Sequence, residues 1–165
     1  MKTLFRLLFL SLFVLIVSCK DKKEHSQTDN LFKFKDYISY NTYGNKSIST
    51  DIKVGLARPL EQFEMAQELK ADDYLKISPK VDGKLAIENG NNLIFVPSEN
   101  LKPDTEYSVT VKLNKLYDDV PKEFKTYTFS FKTIKPNFKV DIDKLQSYSK
   151  EWQYLEAAIE ASDVI

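Results

Sequence analysis

The sequence predicts an all-β fold, an antiparallel β-sandwich of about seven strands. Two runs carry the prediction. From Tyr107 to Leu113, the apolar residues Tyr107, Val109, Val111 and Leu113 alternate with Ser108, Thr110 and Lys112. Tyr127, Phe129 and Phe131 alternate with Thr128, Ser130 and Lys132 in the same way. Period two is the signature of a strand with one face buried. A third observation is punctuation: the short apolar runs are cut by Pro59, Pro79, Asp82-Gly83, Asn89-Gly90-Asn91-Asn92 and Pro97. Aromatic residues make up 13% of the chain, with 9 Tyr and 11 Phe, so a core can be filled without staples. The single Cys allows no intrachain disulfide.

The chain opens with a targeting segment over residues 1–18. Lys2 and Arg6 form a positive head, and Leu7 to Val17 is apolar apart from Ser11. As a helix that run covers about 16 Å at ~1.5 Å per residue, short of the ~30 Å core of a bilayer. A signal peptide fits better than a spanning helix. Ile16-Val17-Ser18-Cys19 resembles the bacterial lipobox. The resemblance implies thioether lipidation of Cys19, cleavage before it and acylation (palmitate or a similar chain) of the new amino terminus. The alternative is an ordinary signal peptide with an incidental cysteine. Removing residues 1–18 takes away two basic residues and no acid, leaving 22 Lys+Arg against 24 Asp+Glu. That balance offers no basic field for nucleic acid. Residues 19–30 read as the lipidated Cys and a flexible polar tether. Lys20-Asp21-Lys22-Lys23-Glu24 matches only in part the Lys-plus-acidic sorting run of some surface lipoproteins.

Residues 31–136 read as the sandwich domain. Leu31 to Tyr40 is expected to be a lead-in edge strand with Phe32 and Phe34 facing in, and Asn41 to Ser47 a turn. Ile52, Val54 and Leu56 mark the first main strand. Leu60 to Leu69 breaks the β rhythm and suits a helical turn or an irregular loop. Leu75 and Ile77 form a strand ending at Pro79. Asp82-Gly83 is a tight turn into Leu85-Ala86-Ile87, and Asn89 to Asn92 a second turn into Leu93 to Val96. Asn114 to Lys125 is a polar connection before the last strand, and Ile134 to Asn137 a linker. In residues 137–165, Phe138, Val140 and Ile142 alternate. Leu145, Tyr148, Trp152, Leu155 and Ile159 then recur every three or four residues. That spacing alone argues for a C-terminal amphipathic helix.

Leu101-Lys102-Pro103-Asp104-Thr105-Glu106-Tyr107 resembles the corner before the penultimate strand of fibronectin type III and other Ig-like domains. In such a corner Pro103 fixes the turn, Asp104 and Thr105 satisfy local backbone groups, and Leu101 plugs the sandwich end. Tyr107 buries its ring and returns its hydroxyl to an upstream backbone group. The order of the Ser49–Val54, Leu75–Gly83 and Leu93–Pro97 segments and this corner is similar to the N-terminal domain of bacterial alpha-2-macroglobulin lipoproteins. Residues 137–165 resemble the opening of that family's next macroglobulin-like domain, which implies strand and turn rather than helix.

Chemistry-bearing patterns are sparse. His25, the only histidine, falls in the tether, so no His-based triad or His-rich metal site can be assembled. Asp72-Asp73, Asp118-Asp119 and Asp141/Asp143 are paired acids, but adjacent acids on polar turns are more often solvated than Ca²⁺ ligands. Tyr43, Tyr117 and Trp152 are candidates for a sugar-stacking surface. Neither catalytic residue nor cofactor nor metal is assigned. The resemblance implies a monomeric, membrane-anchored structural module of a protease-inhibitor lipoprotein at the outer membrane. It would touch the membrane through Cys19 and further macroglobulin-like domains or envelope proteins at its other end. It lacks the thioester cysteine and the bait region of that family, so it could not trap a protease alone. The alternative is a free-standing surface lipoprotein binding glycan or protein, as adhesin modules do.

Overall fold

The computed structural model describes residues 27–63, 65–147 and 149–164. In chain order these form α1 (Gln27–Lys33), β1 (Ile38–Asn41), β2 (Asn45–Lys46), β3 (Ile52–Leu56), β4 (Gln67–Leu69), α2 (Ala71–Tyr74) and β5 (Leu75–Ser78). There follow β6 (Gly83–Glu88), β7 (Asn92–Pro97), β8 (Glu106–Lys112), β9 (Thr126–Thr133), β10 (Phe138–Ser147) and β11 (Gln153–Ala161). One sheet has the order β1-β3-β7-β6-β4 and the other β2-β9-β8-β5, packed as a sandwich, while β10 and β11 form a separate ribbon.

The alternating runs bury the faces their period assigns. Tyr107, Val109 and Val111 on β8 and Tyr127, Phe129 and Phe131 on β9 point into one core with Leu85, Ile87, Leu93 and Phe95 of the facing sheet. The two strands lie antiparallel in register, Val109 opposite Phe129. Large side chains buried this fully contribute about 1.5–3 kcal/mol each relative to exposure. At the β6–β7 hairpin, Asn89 (φ 53°) and Gly90 (φ 66°) take the left-handed conformation in succession, and Asn91 N–H bonds to Glu88 C=O at 3.2 Å. Two such residues in sequence make the mirror-image turn whose twist matches the paired strands.

Several elements differ from the sequence reading. Gln27 to Lys33, expected to be tether and edge strand, is helical, and Asn30 Nδ2 bonds to Thr128 C=O of β9 at 2.6 Å. The helix turns Phe34 inward, against Phe124 and Tyr127, and leaves Phe32 exposed, so only one of the two expected inward phenylalanines is buried. Within Asn41 to Ser47, β2 pairs in parallel with β9. Leu60 to Leu69 holds one 3₁₀ turn at Glu61–Phe63 and then β4, a three-residue edge strand buried only at Leu69. The nine sandwich strands exceed the expected seven because β2 and β4 are too short to show a period.

Asp82-Gly83 is not a hairpin turn. β5 and β6 lie in different sheets, and the chain crosses between them here. Gly83 is needed for close approach: a Cβ there would collide with the Val96 carbonyl oxygen and stand 2.6 Å from Cζ of Phe95.

Residues 138–161 are a ribbon of two strands, not a helix. A bulge between Ile142 and Lys144 shifts the register, which sets Leu145 opposite Leu155. One face therefore carries Phe138, Val140, Ile142 and Leu145 beside Leu155, Ala157, Ile159 and Ala161. The other carries Lys139 opposite Glu160 and Lys144 opposite Glu156.

Candidate functional site

The corner between β7 and β8 is closed by side-chain and backbone hydrogen bonds. Leu101 is buried, and its N–H bonds to Ile48 C=O at 2.8 Å. The Tyr107 ring stacks on Phe131 with centroids 5.4 Å apart, and its hydroxyl accepts the N–H of Lys102 at 2.9 Å. Pro103 leads into Asp104, which is left-handed at φ 47°. Thr105 Oγ1 donates to Pro103 C=O at 2.8 Å. Thr133, at the end of β9, was not singled out in the sequence. Its hydroxyl donates to Lys102 C=O at 2.6 Å and accepts Thr105 N–H at 2.9 Å, joining the corner to the neighbouring strand. The Lys132 ammonium, 2.6 Å from Asp104, holds that carboxyl below its ordinary range through a hydrogen bond. These bonds tie the corner to itself and to β9.

Beside the corner the sandwich opens into two adjoining clefts. The larger, about 570 Å³, lies between β5 and the β6–β7 pair. Its floor is Leu75, Val81 and Phe95, and Lys70, Lys76 and Lys112 stand on its rim. Its lining contributes no hydroxyl, thiol or imidazole. The smaller, about 400 Å³, runs from Pro79 and Asp82 to Leu101 and Tyr107.

A second polar cluster joins the ribbon to the sandwich. The chain leaves β9, runs out along β10, returns along β11, and Asp163 closes on the loop after β2. One Asp163 oxygen accepts the Ser47 hydroxyl and the other accepts the Ile48 N–H at 2.8 Å. These bonds, the Ser47 one foremost, hold the Asp163 carboxyl below its ordinary range. Ser162 N–H bonds to Asn137 C=O, and Asn137 N–H bonds back to Ser162 Oγ, both at 2.9 Å.

The remaining tyrosines divide between core and surface. Tyr127 Oη donates to Asn41 Oδ1 at 2.7 Å inside the core, and burial pushes its pKa up to about 12. Tyr117 packs against Tyr37, with the Arg58 guanidinium 4.9 Å above its ring, and burial raises its pKa. Tyr43 and Trp152 are exposed. Tyr43 precedes β2, Tyr117 follows β8 and Trp152 sits at the ribbon turn, so the three lie on separate elements. Asp141 pairs with Lys139 at 2.8 Å. Among the described residues no three His, Cys, Asp or Glu side chains converge on one point, and no helix is long and apolar enough to cross a membrane. Cys19, His25 and the leader lie outside the described residues.

Comparison with known proteins gives a family match. The family described as bacterial Ig-like domain matches residues 32–133, which is the nine-strand sandwich with its corner. No curated protein matches the chain. Among solved structures, L,D-transpeptidase 3 from Mycobacterium tuberculosis with a faropenem-derived adduct is 11% identical, at a TM-score of 0.42. The alignment covers 64% of this chain and 40% of that one. The same enzyme at 1.32 Å resolution is 12% identical at a TM-score of 0.41, over 62% and 38% of the two chains. The chain therefore spans about two fifths of the length of the solved structures it matches.

Proposed function

Because the chain belongs to the bacterial Ig-like domain family, we propose that it is a non-catalytic structural module of the bacterial cell envelope, lipid-anchored through Cys19. The observation that carries this reading is the Asp163 latch. The chain leaves the sandwich at Thr133 and is bonded back to it at Ser47 and Ile48, so the sandwich holds the following β unit in place. A module that positions its neighbour needs a rigid body and secured ends. The corner and the latch supply both.

At finer grain, the lipobox and the order of the sandwich segments support an N-terminal module of an alpha-2-macroglobulin-like protease-inhibitor lipoprotein. Its place would be the outer membrane, with residues 137–165 opening a second β unit. On this reading it anchors and spaces, and the trapping of proteases belongs to other domains. A second reading is a surface module that stacks a sugar ring on an exposed aromatic, Tyr43 or Trp152, each on its own element.

Two measurements test the proposal. In detergent phase separation the wild-type protein enters the detergent phase and Cys19→Ala stays in the aqueous phase; equal partitioning would refute the anchor. On a glycan array the protein gives no saturable binding if its role is structural. Saturable binding lost in Trp152→Ala or Tyr43→Ala would replace the structural reading with the sugar-binding one.

A further inference from the structure

β5 ends its sheet. The order is β2-β9-β8-β5, and among the described residues no strand pairs with the other side of β5. The backbone of Leu75 and Ile77 faces that open side. Leu75 N–H turns away from β8 and bonds to Ala71 C=O of α2. The register across the sheet agrees. Thr128 C=O on β9 points away from β8, to Asn30, so Tyr127 bonds to Val111, and Val111 has no backbone group left for Leu75. By the same alternation the N–H of Ile77 and the C=O of both residues are directed to the edge, where a further strand would pair. We propose that this edge takes up an extended segment of a partner protein in which apolar and acidic residues alternate.

The alternation follows from what lies on each face. A strand added beside β5 turns every second side chain inward, over the cleft of about 570 Å³ walled by Leu75, Ile77, Val81 and Phe95. Its other side chains stand on the outer face beside Lys76. Lys112 is on that face as well, two residues along β8 from Thr110, the partner of Lys76. Its ammonium is held at 2.7 Å by a neutral group, Asp72 C=O. Lys70, Lys76 and Lys112 form no ion pair with a described carboxylate, and Lys80 pairs with Asp82 at 3.5 Å. The cleft is thus lined by four lysines against two aspartates, on a chain whose formal net charge is zero. Shortness, a lysine and a proline just beyond are devices that keep an edge from pairing with strands at large, and β5 has all three in its four residues, Lys76 and Pro79. An acidic strand reverses the sign of the lysine's effect, so charge selects which strand is admitted.

The inference goes beyond the anchoring reading and does not depend on Cys19. Its test is fluorescence anisotropy of a labelled short peptide of alternating Asp and Val, titrated with the chain from Lys20 onward, which keeps every described residue. The expected result is saturable binding that weakens as salt is raised. Lys76→Glu should weaken it at least about tenfold, with the thermal melt unchanged because the side chain is exposed. Hydrogen exchange at Ile77 should slow when the peptide is bound. A peptide with Pro in place of Val keeps the charge, lacks the N–H groups that pair strands and should not bind. No saturable binding of the Asp-Val peptide would overturn the inference. Equal binding of the Pro peptide would overturn it by reducing the contact to charge alone, and full affinity in Lys76→Glu would overturn it by placing the contact elsewhere.

Discussion

The hydroxyl of Tyr107 accepts the backbone N–H of Lys102 at 2.9 Å, five residues upstream, while its ring stacks on Phe131 across the strand pair. One side chain thus fills the core and closes the turn that feeds β8. Tyr107→Phe keeps the ring and removes the acceptor, leaving Lys102 N–H to find water or go unpaired. The expected cost is about 1–2 kcal/mol, a fall in Tm of several degrees by differential scanning calorimetry. A variant as stable as the wild type would show that the corner is held by packing alone.

Tyr127 makes the stability pH-dependent at the alkaline end. Its pKa in the fold is raised to about 12 by burial, above the ordinary value of 10.0, so the fold keeps it neutral while the unfolded chain ionises it. The contribution is therefore complete below pH 10 and is lost as pH rises through about 12. Urea midpoints measured across that range should fall, and they should fall less steeply in Tyr127→Phe. At neutral pH the same variant should lose about 1–3 kcal/mol, because Asn41 Oδ1 is left buried without its donor.

Gly83→Ala tests the crossing between sheets. The added methyl would collide with the Val96 carbonyl and press on the Phe95 ring, so β6 and β7 must move apart. Overpacking of this kind costs about 1–3 kcal/mol. The expected readout is a lower urea midpoint with the slope unchanged. An unaltered midpoint would mean that the β6–β7 pair has slack at Gly83.

The contrast between Gly83 and Asn89-Gly90 shows what the sequence could reveal. Both pairs carry turn chemistry, but only the second joins hydrogen-bonded neighbours; the first switches sheets, and local composition does not encode which sheet the next strand enters. β8 and β9 were legible because one face of each is buried and the other reaches solvent. α1 was hidden because Gln27 to Asn30 carries no apolar residue; it docks through Leu31, packed against the core, and through the bond from Asn30 to Thr128. In the ribbon, Ala157 and Ala161 take positions that a strand period would fill with larger residues, and the bulge after Ile142 breaks the alternation. The remaining large residues then fall at helical spacing by coincidence. Thr133 and Asp163 were missed because their partners lie 31 and 116 residues away in sequence.

Asp163→Ala should free the ribbon base from the sandwich. Hydrogen exchange read by mass spectrometry should quicken over Ser47 to Ser49 and leave β7 to β9 unchanged. In the wild type the carboxyl titrates below its ordinary value of 3.8, so the latch holds above that pH and is lost as pH falls through the lowered value. Exchange at Ile48 that is equally slow in both proteins would mean that the carboxylate does not protect that amide.

On the proposed reading this Ig-like sandwich is held at a membrane by its own amino terminus. Intact mass spectrometry of the protein purified from its native envelope tests it most directly. The expected mature chain begins at Cys19 and carries a thioether-linked diacylglyceryl group and an acylated amine. A mature chain that begins elsewhere, or one that begins at Cys19 with an unmodified thiol, would contradict it.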